Sequence, residues 1–429
     1  MATLLEEEVL TFVHLPRISL VPNDMTATAT TTLTQDTLTE KPRIATIDII
    51  RGIVMIIMAL DHTRDFYHAD VASFDPTDLT KTNPALFFTR WITHFCAPTF
   101  VFLSGMSAYI SRQRKSTKEL SLFLLTRGFW LIVLEFTVVR LGITFNLFYD
   151  FVIFQVIWVI GASMIVLAAL VYLPQRVILA IGLVLVFGHN LFDLMQVQPG
   201  DSSYLPWAIL QQAGTASLWP GNSTLIAYPL IPWLGIMLTG YGAGFLFSKN
   251  FDPLKRKRIL FNAGITVILL FVILRFTNLY GDPRSWSVQK NVLFTLMSFV
   301  NTTKYPVSLL YTLMTLGPVL IIMALMEGWK TNFLEPARIV GRVPLFYYIL
   351  HFYLIHLTAL CVFMITTGTS WSDVTFHFPK TFGGIPGGVG YTLGWVYVAW
   401  ISIVIALYPL CKWYHQYKSR HHQWWLGYL

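Results

Sequence analysis

The chain has 429 residues, of which 55% are hydrophobic and only 12% are charged. Because an ordinary soluble domain is about a quarter charged, this composition excludes a soluble globular protein and indicates a chain that crosses a membrane many times. The formal net charge of +8 does not indicate a nucleic-acid-binding protein, since the basic residues lie in short clusters between apolar blocks, which is the pattern of membrane topology.

The predicted elements begin after an N-terminal tail. Residues 1–42 are predicted to be disordered, because their Thr-rich part almost lacks large apolar residues. A transmembrane domain is predicted over residues 43–411 and a basic, aromatic tail over 412–429. Ten hydrophobic spans are predicted in the domain, at residues 44–62, 86–110, 120–144, 151–173, 176–194, 226–247, 258–279, 305–327, 340–365 and 391–411. Segments 202–219 and 288–300 are too polar or too short to span and are expected at the interface.

The basic residues indicate how the spans are oriented. Nineteen of the 30 Lys and Arg residues lie in the N-terminal segment and in every second loop after it, whereas six lie in the other loops and five within spans. By the positive-inside rule, both termini are cytoplasmic and the loop after the first span is external. The predicted fold class is therefore an all-α integral membrane bundle of about ten transmembrane helices with both termini in the cytoplasm.

The first predicted span carries charges at both ends, where charged residues are costly and are therefore candidates for function. Asp48 and Arg51 lie near its start, one helical turn apart. If the helix is unbroken, Arg51 lies roughly 25 Å from His68. Two interpretations remain open for Asp48 and Arg51: a charge pair that anchors the helix start, or a contact for an anionic ligand that enters from the cytoplasm.

Polar side chains cluster at the outer end of the same span. At helical spacing one stripe holds four of them, a fifth lies at its edge, and a sixth opens the next span: Asp61, Arg64, Asp65 and His68, then His62, then His94. Histidines beside carboxylates offer a general base whose tautomer is set by an acid. A salt-bridged helix end remains an alternative, as does a metal site of the three histidines and an aspartate, whose spacing matches no named motif.

Other polar residues lie within the predicted spans. Glu135 is expected to neutralise an arginine inside the bundle. His189 and Asp193, at the outer end of the fifth span, are expected to approach the cluster around His68. Single histidines such as His351 and His356 are more often hydrogen-bonded core residues than catalysts.

Small residues of the spans have simpler interpretations. The glycines of residues 240–244 lie inside a span without a preceding strand, so they indicate close helix packing rather than a phosphate loop. The three cysteines have no disulfide or metal spacing and are interpreted as small buried hydrophobes: Cys96, Cys361 and Cys411.

Several stretches together resemble a known family. Residues 43–52, followed by Met55 and Met58, resemble the first-span signature of the heparan-α-glucosaminide N-acetyltransferase family, and residues 96–105 resemble its second-span motif. Further stretches resemble the bacterial branch of that family: residues 60–68, 228–233, 278–282, 303–306 and 341–348. The resemblance implies a ten- or eleven-helix membrane acyltransferase that moves an acyl group from cytoplasmic acyl-CoA to a sugar on the other side.

The resemblance also implies roles for individual residues. The family's catalytic histidine lies in the loop after the first span, where His68 is the nearest match and His62 the alternative. His94 stands where the family's lysosomal member has an aspartate. On this basis we expect Asp61 or Asp65 to orient the histidine and Arg64 to stabilise developing negative charge. Asp48 and Arg51 are expected at the site that holds the CoA phosphates.

The predicted function is thus a membrane-bound O- or N-acyltransferase of a bacterial inner (plasma) membrane, which acts on a sugar or envelope glycan at the outer face. Acetyl-CoA, or another acyl-CoA, is the expected co-substrate, without a metal or prosthetic group. The expected partners are the lipid bilayer and the acceptor, not nucleic acid, and a homodimer stays open. The alternatives are a transporter of a proton-coupled or anionic solute, which the lack of an internal repeat disfavours, and a non-catalytic role in envelope assembly.

Overall fold

The computed structural model describes residues 45–71, 73–328, 332–421 and 423–427, so the predicted N-terminal tail lies outside the described residues. The α-helices of these ranges are α1 (Ala45–Tyr67), α2 (Pro84–Thr93), α3 (Cys96–Arg112), α4 (Thr117–Leu134), α5 (Arg140–Thr144), α6 (Val156–Leu170), α7 (Gln175–Gly188), α8 (Tyr204–Leu210), α9 (Leu230–Ala243), α10 (Pro253–Thr277), α11 (Val292–Val300), α12 (Leu309–Leu325), α13 (Glu335–Arg342), α14 (Pro344–Thr367) and α15 (Leu393–Arg420). The short strands are β1 (Phe151–Phe154), β2 (Gly214–Ala216), β3 (Ser223–Ile226), β4 (Thr381–Phe382) and β5 (Ile385–Pro386).

Within the described chain, seven helical segments are long and apolar enough to cross a membrane: Pro84–Arg112, Thr117–Thr144, Gln175–Leu194, Leu230–Phe247, Pro253–Thr277, Pro344–Thr367 and Leu393–Arg420. Two further apolar helices, α6 and α12, are shorter. The chain is therefore a mostly helical integral membrane protein. The last helix continues to Arg420, through much of the region predicted as a C-terminal tail.

Short strands modify the predicted all-α class. Strand β1 pairs in parallel with β3, with Phe151 opposite Ser223, and β2 pairs antiparallel with β3. The predicted span at 151–173 is corrected accordingly, because it opens with β1 and becomes helical only at Val156. The sheet joins connections that are distant in the chain, and residues of all three strands line the cavity described below.

The bundle packs through close helix contacts at glycines. Gly52 of α1 lies so near α13 that an added Cβ would overlap the carbonyl group of Ala337. Gly240 of α9 approaches Phe102 of α3 in the same way, which confirms the packing interpretation of residues 240–244. Helix α1 therefore has little freedom to move relative to α13.

The prediction for the buried Glu135 needs correction. Glu135 is fully buried but neutralises no arginine among the described residues; its Oε2 instead accepts a hydrogen bond of 2.9 Å from the Trp158 backbone N–H near the start of α6. The neighbouring Arg140 donates to the backbone carbonyls of Phe151 and Asn146. A helix N-terminus favours a carboxylate as a cation does, although Oε1 of Glu135 has no hydrogen-bond partner among the described residues.

The three cysteines are free, and two of them, Cys96 and Cys411, are buried as expected. Cys361 is exposed on α14, so its assignment as a buried residue is wrong. Its neighbours along the spanning helix are apolar, and a thiol tolerates such surroundings as a small hydrophobe.

Candidate functional site

A cavity of about 690 Å³ lies beside the C-terminal half of α1. This volume is typical of a small-molecule site. The charged and polar side chains of its wall include Asp61, His62, Asp65, Arg90, Lys304 and Tyr305. Most of the remaining wall is apolar or aromatic, with Phe151 and Leu225 from the sheet and Phe378 and Phe382 from the connection between α14 and α15. A smaller depression along α7 is lined by apolar side chains and Arg176 alone, so it offers no chemistry.

Helix α2 contributes Arg90 to the wall of this cavity. Its start is defined by Asn83, whose side chain accepts a hydrogen bond from the Leu86 N–H, and by Pro84 at the first helical position. The helix ends at Thr93, where the chain turns before α3. Arg90 lies in its last turn and therefore points towards α1, where its Nη1 donates to Asp61 Oδ1 at 2.6 Å.

Asp61 is the centre of a buried ion-pair network. Besides its pair with Arg90, Asp61 forms an ion pair with Arg64, in which Nη2 lies 3.1 Å from Asp61 Oδ1. The same Nη2 lies 2.5 Å from Asp65 Oδ1. Asp61 and Arg64 are only 6% and 3% exposed, a position that charged groups tolerate only when paired. The predicted clustering of these three α1 residues is thus observed, with Arg90 as an additional member.

His62 is the histidine that the structure places in the cavity wall. Its Nδ1 lies 3.8 Å from Oδ2 of Asp65, one helical turn away. Its ring packs against Phe352, at 4.3 Å between ring centres, and against His351, at 5.3 Å. This arrangement supplies an imidazole with a carboxylate neighbour and a fixed ring position, which is the combination expected of a general base.

His68 directly follows α1 and is not among the described residues that line the cavity. Its Nδ1 accepts a hydrogen bond of 3.2 Å from the Asp70 backbone N–H, and its backbone forms a bridge with Tyr391. Burial lowers the pKa of the His68 imidazole. The negative charge of Asp70 opposes this effect, and the positive charge of Arg64 adds to it. The acids expected to orient His68 thus have other partners.

His94 is buried behind the cavity rather than in its wall. The Tyr311 hydroxyl donates to the His94 backbone carbonyl at 2.8 Å, and the two rings lie 5.2 Å apart. The predicted approach of the second span to α1 therefore takes place through Arg90, one turn before His94. Among the described residues, no group of three or more His, Cys, Asp and Glu side chains is placed to hold a metal ion.

Two cavity residues, Lys304 and Tyr305, were missed by reasoning from the sequence. They lie in the segment before α12, where Asp282 accepts hydrogen bonds from the backbone N–H of Thr303 at 2.8 Å and from the Ser308 hydroxyl at 2.7 Å. The available signal was that residues 278–282 and 303–306 both resembled the family, although nothing in the sequence showed that the two stretches meet.

The remaining predicted histidines have structural contacts. The ring nitrogens of His356 lie 2.9 Å from the Gly142 carbonyl oxygen and 2.7 Å from that of Gly383, so the core interpretation is confirmed for this residue. His189 does not join the cluster around His68; its backbone carbonyl accepts a hydrogen bond from Gln211 of the segment after α8.

The opposite end of α1 holds a second polar cluster. Arg51 donates to Asp48 at 3.2 Å, to the Gly341 carbonyl at 3.1 Å and to the Ser107 hydroxyl at 2.8 Å. It therefore joins α1, α3 and α13. Asp48 also lies 3.6 Å from Nε of Arg342. These contacts confirm the anchoring interpretation, while a contact of Arg51 with an anionic ligand remains a prediction.

A comparison with protein families gives a match. A family model described as heparan-alpha-glucosaminide N-acetyltransferase, catalytic, matches residues 43–278. This range is more than half of the chain and contains α1 to α10, including the ion-pair network of α1 and α2. No curated protein matches the chain.

Proposed function

The chain belongs to the heparan-α-glucosaminide N-acetyltransferase family, and on this premise we propose that it transfers an acetyl group from acetyl-CoA to a sugar or envelope glycan across a membrane. The observation that carries the proposal is the cavity at the end of α1. It brings His62, its neighbour Asp65 and the cation Arg90 to one wall, and all three belong to the matched range.

The proposed topology has ten crossings, with both termini in the cytoplasm of a bacterial cell. The supporting observations are the asymmetry of basic residues and the length of α1, whose 23 residues extend over about 34 Å at the usual helical rise. That length suffices for a hydrocarbon core of about 30 Å. With this orientation the cavity lies towards the outer face and the cluster around Arg51 lies towards the cytoplasm.

Single cysteines test this topology in a variant that lacks the exposed Cys361. Ser73→Cys is expected to react with an impermeant thiol reagent on intact cells, because it follows the outer end of α1. Lys115→Cys, between α3 and α4, should react only after the membrane is opened. The reverse pattern would invert the proposed orientation.

In the proposed reaction, an acceptor hydroxyl or amine attacks the thioester carbonyl while His62 takes the proton from the acceptor. The C–S bond then breaks, and the CoA thiolate leaves and takes up a proton. Asp65 stabilises the imidazolium, as acids do in other acyl transferases. Arg90 is placed to stabilise the oxyanion, because it lines the cavity and Arg64 does not among the described residues. The CoA phosphates are proposed to bind at the cytoplasmic face near Arg51 and Asp48.

The assignment of His62 is tested against that of His68 by two variants. His62→Phe keeps a ring against Phe352 and removes the base, so the rate should fall by about 10²–10⁴-fold without a lower melting temperature. His68→Ala should keep a rate near that of the wild type. The assay follows CoA release and product mass with a panel of amino sugars and neutral sugars.

The opposite result, loss of activity in His68→Ala alone, would assign the catalytic role to His68, the nearest match to the family's loop histidine. A protein that moves solute into vesicles without releasing CoA would instead be the transporter considered from the sequence.

A further inference from the structure

Lys304 is a cation that the proposed chemistry does not use. Its residue is 9% exposed, and it lines the cavity. Its position is fixed by the surrounding backbone, because Asp282 holds the flanking Thr303 and Ser308. Arg275 adds to this anchoring by donating to the Asn301 carbonyl at 2.8 Å. The ammonium group is therefore presented to the cavity by a preorganised segment.

The carboxylates around the cavity are ion-paired with other cations, and Asp61 acts on Lys304 only through its charge at longer range. Two carboxylates line the described part of the cavity. Asp61 forms ion pairs with Arg64 and Arg90, and Asp65 forms one with Arg64. No ion pair to Lys304 occurs within the part of the chain that the structure describes. The Lys304 side chain is hydrogen-bonded to Tyr305, and its ammonium lies 5.1 Å from the centre of the Tyr305 ring. These contacts with a neutral group offset only part of the cost of burial. Two carboxylates and three cations leave an excess of one positive charge.

An ammonium that has no ion-pair partner in a largely buried position is costly unless an anion neutralises it. We propose that Lys304 binds an anionic group of the acceptor, a carboxylate or a phosphate, and so selects acidic or phosphorylated sugars. This inference rests on the proposed function only in treating the ligand as the acceptor. Because the segment that carries Lys304 is already held in place, little reorganisation is needed when the anion binds. The preference for anionic over neutral sugars should therefore be strong.

The test measures binding of glucuronate, glucose 6-phosphate and neutral glucose to the full-length protein in detergent, by calorimetry and without CoA. The wild type should bind at least one of the two anions about tenfold more tightly than glucose, as expected for a charge-assisted contact. Whether glucuronate or glucose 6-phosphate is preferred decides between carboxylate and phosphate. Added salt should reduce the difference.

Variants assign the effect to one side chain. Lys304→Met keeps the aliphatic stem and should abolish the preference for the anion, whereas Lys304→Arg should retain it. The control is Lys290→Met, which removes a lysine that also lies over a ring, at 3.8 Å from the centre of Phe294, but outside the cavity wall. It should bind the anions as the wild type does.

Three results would overturn the proposal: neither anion binds, glucose binds as tightly as the anions, or Lys304→Met retains the preference. Because removal of a buried charge relieves desolvation, Lys304→Met should melt at or above the wild-type temperature, and a purely structural lysine would show the reverse. Lys304→Gln is a second neutral variant if Lys304→Met fails to fold.

The outcome is separable from that of the acyltransferase proposal. Anion binding that depends on Lys304, in a protein that never releases CoA, would keep the anion site and remove the enzyme assignment. Acetylation of anionic sugars at the same rate as neutral ones, in the wild type as in Lys304→Met, would keep the enzyme and remove the anion site.

Discussion

Replacement of Asp61 by alanine is expected to destabilise the protein by about 3–5 kcal/mol, the usual cost of breaking a buried ion pair. Asp61 is 6% exposed and contacts both Arg90 and Arg64. Arg64 keeps Asp65 as a partner in the variant. Arg90 keeps no ion pair among the described residues, so most of the cost comes from its uncompensated charge. The free energy of unfolding is measured by titration with SDS in mixed micelles, followed by tryptophan fluorescence.

The double variant Asp61→Ala/Arg90→Met supplies the control. Arg90→Met alone should cost less than Asp61→Ala, because Asp61 still has Arg64. The double variant should be more stable than the sum of the two single effects predicts, by about 0.5–3 kcal/mol, since the unpaired cation is then absent. Strict additivity, or a loss below about 1 kcal/mol for Asp61→Ala, would show that water solvates the pair as it does at a surface and would refute the reasoning.

Three further variants test other parts of the structure. Gly52→Ala should lower stability by at least about 1–3 kcal/mol through overpacking against α13, while Gly188→Ala, with nothing within 4 Å of an added Cβ, should not. Arg51→Ala should weaken CoA binding in calorimetry, most at low salt; an equal loss in Ser107→Ala would assign Arg51 a purely helix-joining role. The pKa of His68 is lowered from 6.5 by burial, so the unfolded chain binds more protons than the folded chain just below pH 6.5, and stability rises with pH there. His68→Ala should flatten this rise in unfolding titrations between about pH 5 and 7. An unchanged slope in the variant would contradict the prediction.

Local pattern predicted the parts of the site that lie on one helix. Asp61 and Asp65 share a face because they are four residues apart, and α1 runs unbroken to Tyr67 as the apolar stretch indicated. The same spacing placed His62 only at the edge of the stripe, although this is the histidine in the cavity wall. The packing of α1 against α14, where Phe352 contacts His62, decides which edge faces the cavity, and this packing is not encoded in periodicity.

Contacts between distant segments could not be predicted. The parallel pairing of β1 with β3 joins residues 151 and 223, and strands of four residues carry almost no periodic signal. The approach of Lys304 to the cavity depends on Asp282 holding the segment before α12. For Glu135, charge complementarity suggested an arginine, whereas the backbone near the start of α6 donates to one carboxylate oxygen. In each case tertiary packing, rather than local propensity, determined the partner.

The walls of the cavity come from two lengths of chain, one inside and one outside the range that the family model matches. Residues 43–278, the range shared with the family, contribute the acid, the histidine and the arginine. The later part contributes Lys304, Phe378 and Phe382. Under the two proposals, the reacting groups and the lysine that binds the acceptor therefore come from separate parts of one polypeptide. A substitution at Lys304 would then alter the choice of acceptor while His62, Asp65 and Arg90 stay in place.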